Sequence, residues 1–168
     1  RELGINRLSI GVQSAKEKEL QMLGRIHTFE EAKQCYRWAR EAGFTNISLD
    51  VISALPGQTL SDYRENLEEI LALNPEHISS YSLIVEEGTP FYELYAEGKE
   101  KEDELPDEEC DREMYAYTKK RLKEAGYERY EISNYAKPGF ESRHNSSYWT
   151  GIPYLGVGLG ASSLFTNA

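Results

Sequence analysis

"REAGFTNISLDV", residues 40–51, decides the fold. Arg40-Glu41-Ala42 reads as a helix end, and Gly43 suits the position just past it, where the chain turns left-handed. One apolar residue and a two-residue link follow, and then Ile47–Val51 reads as a strand. The same unit recurs as "RELGINRLSIGV" (1–12) and "KEAGYERYEISN" (123–134). A fourth version, "LALNPEHISSYSLIV" (71–85), puts Asn74-Pro75 in place of the glycine. Helix, short loop and strand, repeated several times, predict an α/β architecture with parallel strands.

The helices between these units are well marked. Thr28 with Glu31 forms a capping box ahead of a face made by Phe29, Ala32, Tyr36 and Ala39. Thr59 with Asp62 stands ahead of Leu60, Tyr63, Leu67, Ile70 and Leu71 in the same way. Asp107 precedes a third stripe of Cys110, Met114, Tyr117, Leu122 and Ala125, and a shorter helix is predicted over 15–23. Right-handed crossovers build a barrel or an open sheet. No glycine-rich phosphate loop follows a strand, and "GVGLGA" (156–161) lacks the strand-turn-helix context of a dinucleotide site. A barrel, or part of one, is therefore expected, with its chemistry at the carboxyl ends of the strands.

The 168 residues suit one domain, and the net charge of −10 argues against non-specific nucleic-acid binding. The acid gathers at 97–113, as expected of a solvated loop and helix start. No apolar run approaches the ~20 residues that span a bilayer, and no basic-then-apolar leader is present. Cys35 and Cys110 are expected as buried free thiols on helix faces, a usage that fits a reducing cytoplasm. The opening "RELG" reads as the last turn of a helix, so the sequence is expected to be a piece of something longer.

At the strand ends stand Gln13, an amide able to grip a ligand or cap a turn, and Asp50 amid Ile47, Leu49, Val51 and Ile52. A carboxylate there needs a polar cavity or a cation such as Arg25. Pro56–Thr59 opens a helix, Glu86-Glu87 reads as a polar turn, and His27 as a local loop partner. "ESRHNSSYWTG" (141–151) has no periodicity. It reads either as a metal- or macrocycle-binding loop or as an aromatic anchor, with Tyr148 and Trp149 packed on the barrel. No catalytic triad and no clustered metal ligands are found. From the residues alone, the chain is a β/α-barrel fragment whose mouth holds Gln13, Arg25 and Asp50.

Six stretches in order, "INRLSIGVQS", "LGRIHTFEEA", "GFTNISLDVISALPGQT", "LNPEHISSYSLIVEEGTPFY", "YEISNYAKPGFESRHNSSYW" and "YLGVGLGASS", resemble the radical SAM proteins of the oxygen-independent coproporphyrinogen III oxidase family. The resemblance covers nearly the whole chain. It implies the C-terminal portion of a (βα)6 partial, TIM-like barrel plus a following extension: residues 1–100 the second half of the barrel, residues 101–168 the last helix-strand unit and the extension. It also implies S-adenosylmethionine and a [4Fe–4S] cluster, whose reductive chemistry gives a 5′-deoxyadenosyl radical. By position, Gln13, Arg25, Asp50 and Ile84 resemble residues that contact S-adenosylmethionine, Ile84 through its backbone.

The family's C-x-x-x-C-x-x-C motif would precede Arg1, and Ala54 stands where a glycine is usual. No metal ligand of the cluster is therefore expected here, nor retention of the cofactor, and the barrel edge would be open to self-association. The R-H-N-x-x-Y-W run resembles the HemW-type haem-chaperone branch and implies His144 as a haem ligand, with a haem-recipient protein as partner. The alternatives are a genuine oxidase that decarboxylates the propionates of a porphyrinogen, and an inactive folding fragment.

Overall fold

The computed structural model describes residues 4–165. Its core is the alternation β1 (Leu8–Gln13), α1 (Glu17–Met22), α2 (Phe29–Glu41), β2 (Ile47–Ser53), α3 (Leu60–Ala72) and β3 (His77–Ser82). Then follow α4 (Pro90–Tyr95), a short 3-10 turn at Glu102–Glu104, α5 (Glu108–Glu124), β4 (Glu128–Arg129), β5 (Asn134–Ala136) and α6 (Arg143–Thr150). The five strands form one sheet in the order β1-β2-β3-β5-β4, with β1 and β4 at its edges. β1, β2 and β3 run parallel, with Gly11 paired to Asp50 and Asp50 to Ser79. Among the described residues no helix is long and apolar enough to cross a membrane.

Successive strand side chains point to opposite faces, and here the two faces differ in chemistry. Ile47, Leu49 and Val51 of β2, with Val12, Ile78 and Tyr135, lie buried beneath the helices. Phe29, Ala32 and Tyr36 of α2, Tyr63, Leu67 and Ile70 of α3, and Met114 and Leu122 of α5 complete this core. The other face carries Ser9, Ser48, Asp50, His77, Ser79 and Asn134, and forms the inner wall of a partial barrel. Tyr63, wholly buried, ties the layers together. Its hydroxyl lies 2.7 Å from Thr118 Oγ1 on α5 and 2.9 Å from Ser80 Oγ on β3.

The helix starts behave as the sequence predicts. Thr28 with Glu31 and Thr59 with Asp62 both form complete capping boxes, and Asp107 caps α5. The joints do too. Gly43, Asn74 and Gly126 have φ of 85°, 54° and 86°, so one left-handed residue turns each of these helix ends toward its strand; Gly4 has φ 82°, and the helix expected before it lies outside the described residues. Asn74 tolerates this conformation better than most side chains, and so takes the place of a glycine.

The third repeat departs from expectation. After Gly126 the chain makes a two-residue strand, turns, and returns as β5, which pairs antiparallel with both β3 and β4. Glu128–Asn134, with three charged residues in seven, is too charged to fill a buried parallel strand. It makes a hairpin on the edge of β3, whose turn is held by Ser80 N–H donating to Ser133 O at 2.8 Å. The cysteines depart as well: Cys110 is half-buried but Cys35 is exposed, one position off the apolar stripe that Tyr36 occupies.

A Cβ on Gly126 would meet nothing within 4 Å, so its only penalty is the left-handed backbone. Gly126→Ala is expected to destabilise the fold by about 1–2 kcal/mol in urea unfolding. Asn74→Ala should cost a similar amount, whereas Asn74→Gly should leave the joint intact.

Candidate functional site

The polar face concentrates its groups around Asp50. The Asp50 carboxylate is half-buried and accepts from Ser9 Oγ at 3.1 Å on each oxygen and from Ser48 Oγ at 3.2 Å. The expected cation is not what stabilises it. Arg25 is exposed, on the loop after α1, and makes no ion pair with Asp50. Two serine hydroxyls on the barrel's inner wall supply the polar contacts instead, and leave part of the carboxylate open to the barrel mouth.

Gln13 ends β1 in a left-handed conformation, φ 67°, where the register with β2 shifts. A Cβ on Gly11 would lie 2.5 Å from Gln13 Nε2, so the Gln13 amide folds back over Gly11 toward the strand bearing Asp50. His27 Nε2 lies 3.3 Å from Val12 O and fastens the Arg25 loop to the end of β1, the local role its sequence context predicts. Ile84 is 75% exposed just beyond β3, next to Leu83, whose N–H donates to Ser53 O at 2.9 Å. Gln13 thus ends β1, Asp50 sits at the middle of β2 and Ile84 follows the end of β3, on three adjacent strands. Ala54 has φ 57°, so this position does favour glycine, and alanine occupies it with strain.

Two networks escape sequence reasoning. Glu19 on α1 is buried, accepting from Ser14 Oγ at 2.5 Å and from Gln58 Nε2 at 3.0 Å. Lys16 Nζ donates to Asp62 at 2.7 Å, and this contact, with Thr59, holds the Asp62 carboxyl down at about 2. Together they clamp the loop after β1 to the loop after β2. Nothing near Glu19 in the sequence marks it as buried, because Gln58 lies far along the chain.

The second network runs through His77. This side chain is wholly buried on the inner face, with Nδ1 2.7 Å from Ser48 Oγ and Nε2 2.7 Å from the Tyr130 hydroxyl. Burial, aided by the Arg7 cation, lowers its pKa to about 4, so it is neutral at pH 7. A second layer lies beside it, Ser79 Oγ donating to Asn134 Oδ1 at 2.6 Å. A strand beginning "EHISSYS" gives no hint of this, since a lone histidine there reads equally well as exposed.

The 141–151 stretch is a helix and not a loop. Ser142 caps α6 by accepting from Asn145 N–H at 3.3 Å, and Gly151 ends it with φ 66°. Those two residues were the available signal. His144 Nε2 lies 3.0 Å from the Tyr148 hydroxyl, with the rings edge-on at 4.9 Å, and Tyr148 meets Tyr154 at 4.9 Å. Nδ1 of His144 has no hydrogen-bond partner among the described residues. Tyr148 and Trp149 are 49% and 61% exposed, so they do not pack down as an aromatic anchor. At 100° per residue, Trp149 projects about 140° away from His144 around the helix axis. It lines a pocket of about 370 Å³ with Arg129, Tyr130, Glu131 and Ile132.

The radical SAM superfamily profile matches residues 1–70. The haem chaperone HemW of Bacillus subtilis is 44% identical over 161 residues, which span 96% of this chain and 42% of that protein. The polar-faced sheet superposes on Escherichia coli coproporphyrinogen III oxidase (HemN), a radical SAM enzyme, with a TM-score of 0.77 at 26% identity, over 98% of this chain and 40% of that one. The chain belongs with the HemN/HemW-like radical SAM proteins.

Its likeness to that group extends further. HemW of E. coli is 39% identical over 163 residues, covering 97% of this chain and 41% of the relative. The chain therefore spans about two-fifths of the length of these curated relatives. Full-length radical SAM proteins use S-adenosylmethionine and a [4Fe–4S] cluster. The cluster does not fit the residues of this segment: Cys35 and Cys110 stand on different helices, and no group of three metal-ligating side chains converges among the described residues. S-adenosylmethionine does fit the inner face, where a serine-braced carboxylate and a folded-back amide offer an acceptor and a donor.

The depressed pKa of His77 carries a stability consequence. Between about 4 and 6.5 the unfolded chain binds a proton that the folded chain does not, so stability falls as pH drops through that window. The contribution approaches 3 kcal/mol at its acid end, from ~1.4 kcal/mol per pH unit. Urea unfolding at pH 7 and pH 4.5 should show this slope, and His77→Gln should flatten it.

Proposed function

We propose that this chain is the cofactor- and haem-contacting portion of a HemW-like haem chaperone. On this reading Gln13, Arg25, Asp50 and Ile84 contact S-adenosylmethionine, and His144 ligates haem iron. The single observation that carries the haem assignment is the state of His144. It is an exposed imidazole, one nitrogen held by Tyr148 and the other without a partner among the described residues, on a helix followed by exposed apolar side chains. Ile152, Leu155, Val157 and Leu159 are 55%, 71%, 88% and 109% exposed, an apolar surface of the kind a macrocycle covers.

Beside a reduced cluster, S-adenosylmethionine supplies a carbon-centred radical. The residues here bind and orient. Asp50 accepts from a hydroxyl-bearing ligand while Ser9 and Ser48 keep its carboxylate in place. The Gln13 amide, fixed by its left-handed backbone, offers a donor and an acceptor to the methionine end. Arg25 brings a planar cation to the rim, suited to a carboxylate. Haem is cargo in this scheme, passed to a recipient protein.

The oxidase reading rests on the HemN likeness, at 26% identity against 39–44% for the haem chaperones. Hemin titration of the full-length protein separates the two. Saturable binding that weakens at least tenfold in His144→Ala is expected, and unchanged affinity in the variant overturns the ligand assignment. Product from coproporphyrinogen III, with cluster, cofactor and reductant supplied, would establish the oxidase instead. Gly11→Ala is expected to displace the Gln13 amide and to weaken S-adenosylmethionine binding about tenfold, read by calorimetry, without altering haem affinity.

A further inference from the structure

A continuous file of hydrogen bonds crosses the inner face from Asp50 to the amino end of α6. Ser48 Oγ lies 3.2 Å from Asp50 Oδ1, and His77 Nδ1 lies 2.7 Å from Ser48 Oγ. Tyr130 Oη lies 2.7 Å from His77 Nε2, and the Ser142 backbone N–H donates to Tyr130 Oη at 3.3 Å. The Asn145 side chain also interacts with this hydroxyl. Both ends of the file are of fixed character: a carboxylate only accepts, and a backbone N–H only donates.

Those ends dictate every proton between them. Ser48 has one hydrogen and gives it toward Asp50, so it accepts from His77, which must carry its proton on Nδ1. Nε2 is then the acceptor, and Tyr130 donates to it while receiving from the Ser142 N–H. The one branch does not alter this assignment. Ser79 gives its hydrogen to Asn134 and Ser48 gives its own to Asp50, so no proton lies between the two hydroxyls at their 3.5 Å contact. Bonds aligned in one direction polarise one another, and in a buried setting each is stronger for its neighbours.

We propose that His77 and Tyr130 are positioning residues that couple the Asp50 carboxylate to the helix carrying His144, so that a ligand on Asp50 and a ligand on α6 alter each other's affinity. The coupling rests on the reading that both sites bind ligands, whereas the relay itself does not. A ligand hydroxyl that hydrogen-bonds Asp50 withdraws acceptor strength from Ser48. The change passes through one imidazole and one phenol to Asn145, the residue next to His144. Because coupling is reciprocal, haem on α6 must act on Asp50 by the same factor.

The test uses the full-length protein with ¹⁵N-labelled histidine, the His77 signals being assigned through His77→Gln. At pH 7 the His77 ring is expected to be protonated on Nδ1 alone; the Nε2–H tautomer or an imidazolium overturns the relay. Asp50→Ala frees the Ser48 hydroxyl to turn toward His77 and should shift the tautomer balance. Asp50→Asn, whose amide oxygen still accepts, should restore it. A residue with only a packing role would move neither signal. Tyr130→Phe should speed hydrogen exchange of the 142–145 amides at least tenfold, and unchanged exchange overturns the link to α6.

Coupling is read as the ratio of S-adenosylmethionine Kd with and without haem. A ratio of threefold or more that falls to one in Tyr130→Phe is expected, and a ratio of one in the unmodified protein overturns the coupling. A protein that binds no haem overturns the preceding functional reading and the coupling with it, while tautomer and exchange still decide the relay.

Discussion

Burial of one face of β2 is the constraint from which the rest of this structure follows. Ile47, Leu49 and Val51 lie fully sheltered beneath the helices, and the strand's two-residue period leaves no choice about the intervening side chains. Ser48 and Asp50 must then face the interior of the partial barrel. The parallel register places His77 and Ser79 of β3 beside them in the same rows. A slip of one residue would bury Asp50 under α3 and expose leucine and valine. The apolar core and the polar site are thus two sides of a single packing decision.

The site's rigidity has a separate origin. Residues that face ligands leave strands at their ends, where regular pairing stops and backbone is free to wander. Here the loops after β1 and β2 are clamped to one another through Glu19, Ser14 and Gln58, and the helix after β2 is pinned by Lys16 to Asp62. The serine hydroxyls around Asp50 come from the strands themselves. Precision at the barrel mouth therefore depends on buried polar contacts that touch no ligand, a division of labour familiar from sites built on rigid elements.

Much of this was legible in the chain. Left-handed joints, capping boxes and apolar stripes are local signals, and the repeated helix-joint-strand unit announced parallel β/α structure before any coordinates. A strand-end position pointed to Gln13, and a carboxylate amid apolar neighbours pointed to Asp50, which lies at the middle of β2. What stayed hidden was pairing between distant residues. Arg25 was a reasonable partner for Asp50 on charge, yet Ser9 across the sheet and Ser48 on the same strand serve without desolvating a guanidinium. His77 and Tyr130 lie 53 positions apart, and no local pattern joins them. The Glu128–Asn134 run imitates the repeat but is too charged to follow it, and α6 is masked because its apolar residues do not form a stripe.

The two aromatic side chains of the H-N-x-x-Y-W run look outward on different sides of α6. Tyr148 keeps company with His144, whereas Trp149 belongs to the pocket beside the β4–β5 turn. Asn145 stands one turn before Trp149 on the same side of the helix, toward Tyr130, which lines that pocket too. The four specified residues of this run therefore answer to two separate neighbourhoods. A homologue that keeps the tryptophan but loses the histidine has not half-lost one site; it has kept a different one. Matching this run as a single signature merges properties that the molecule holds apart.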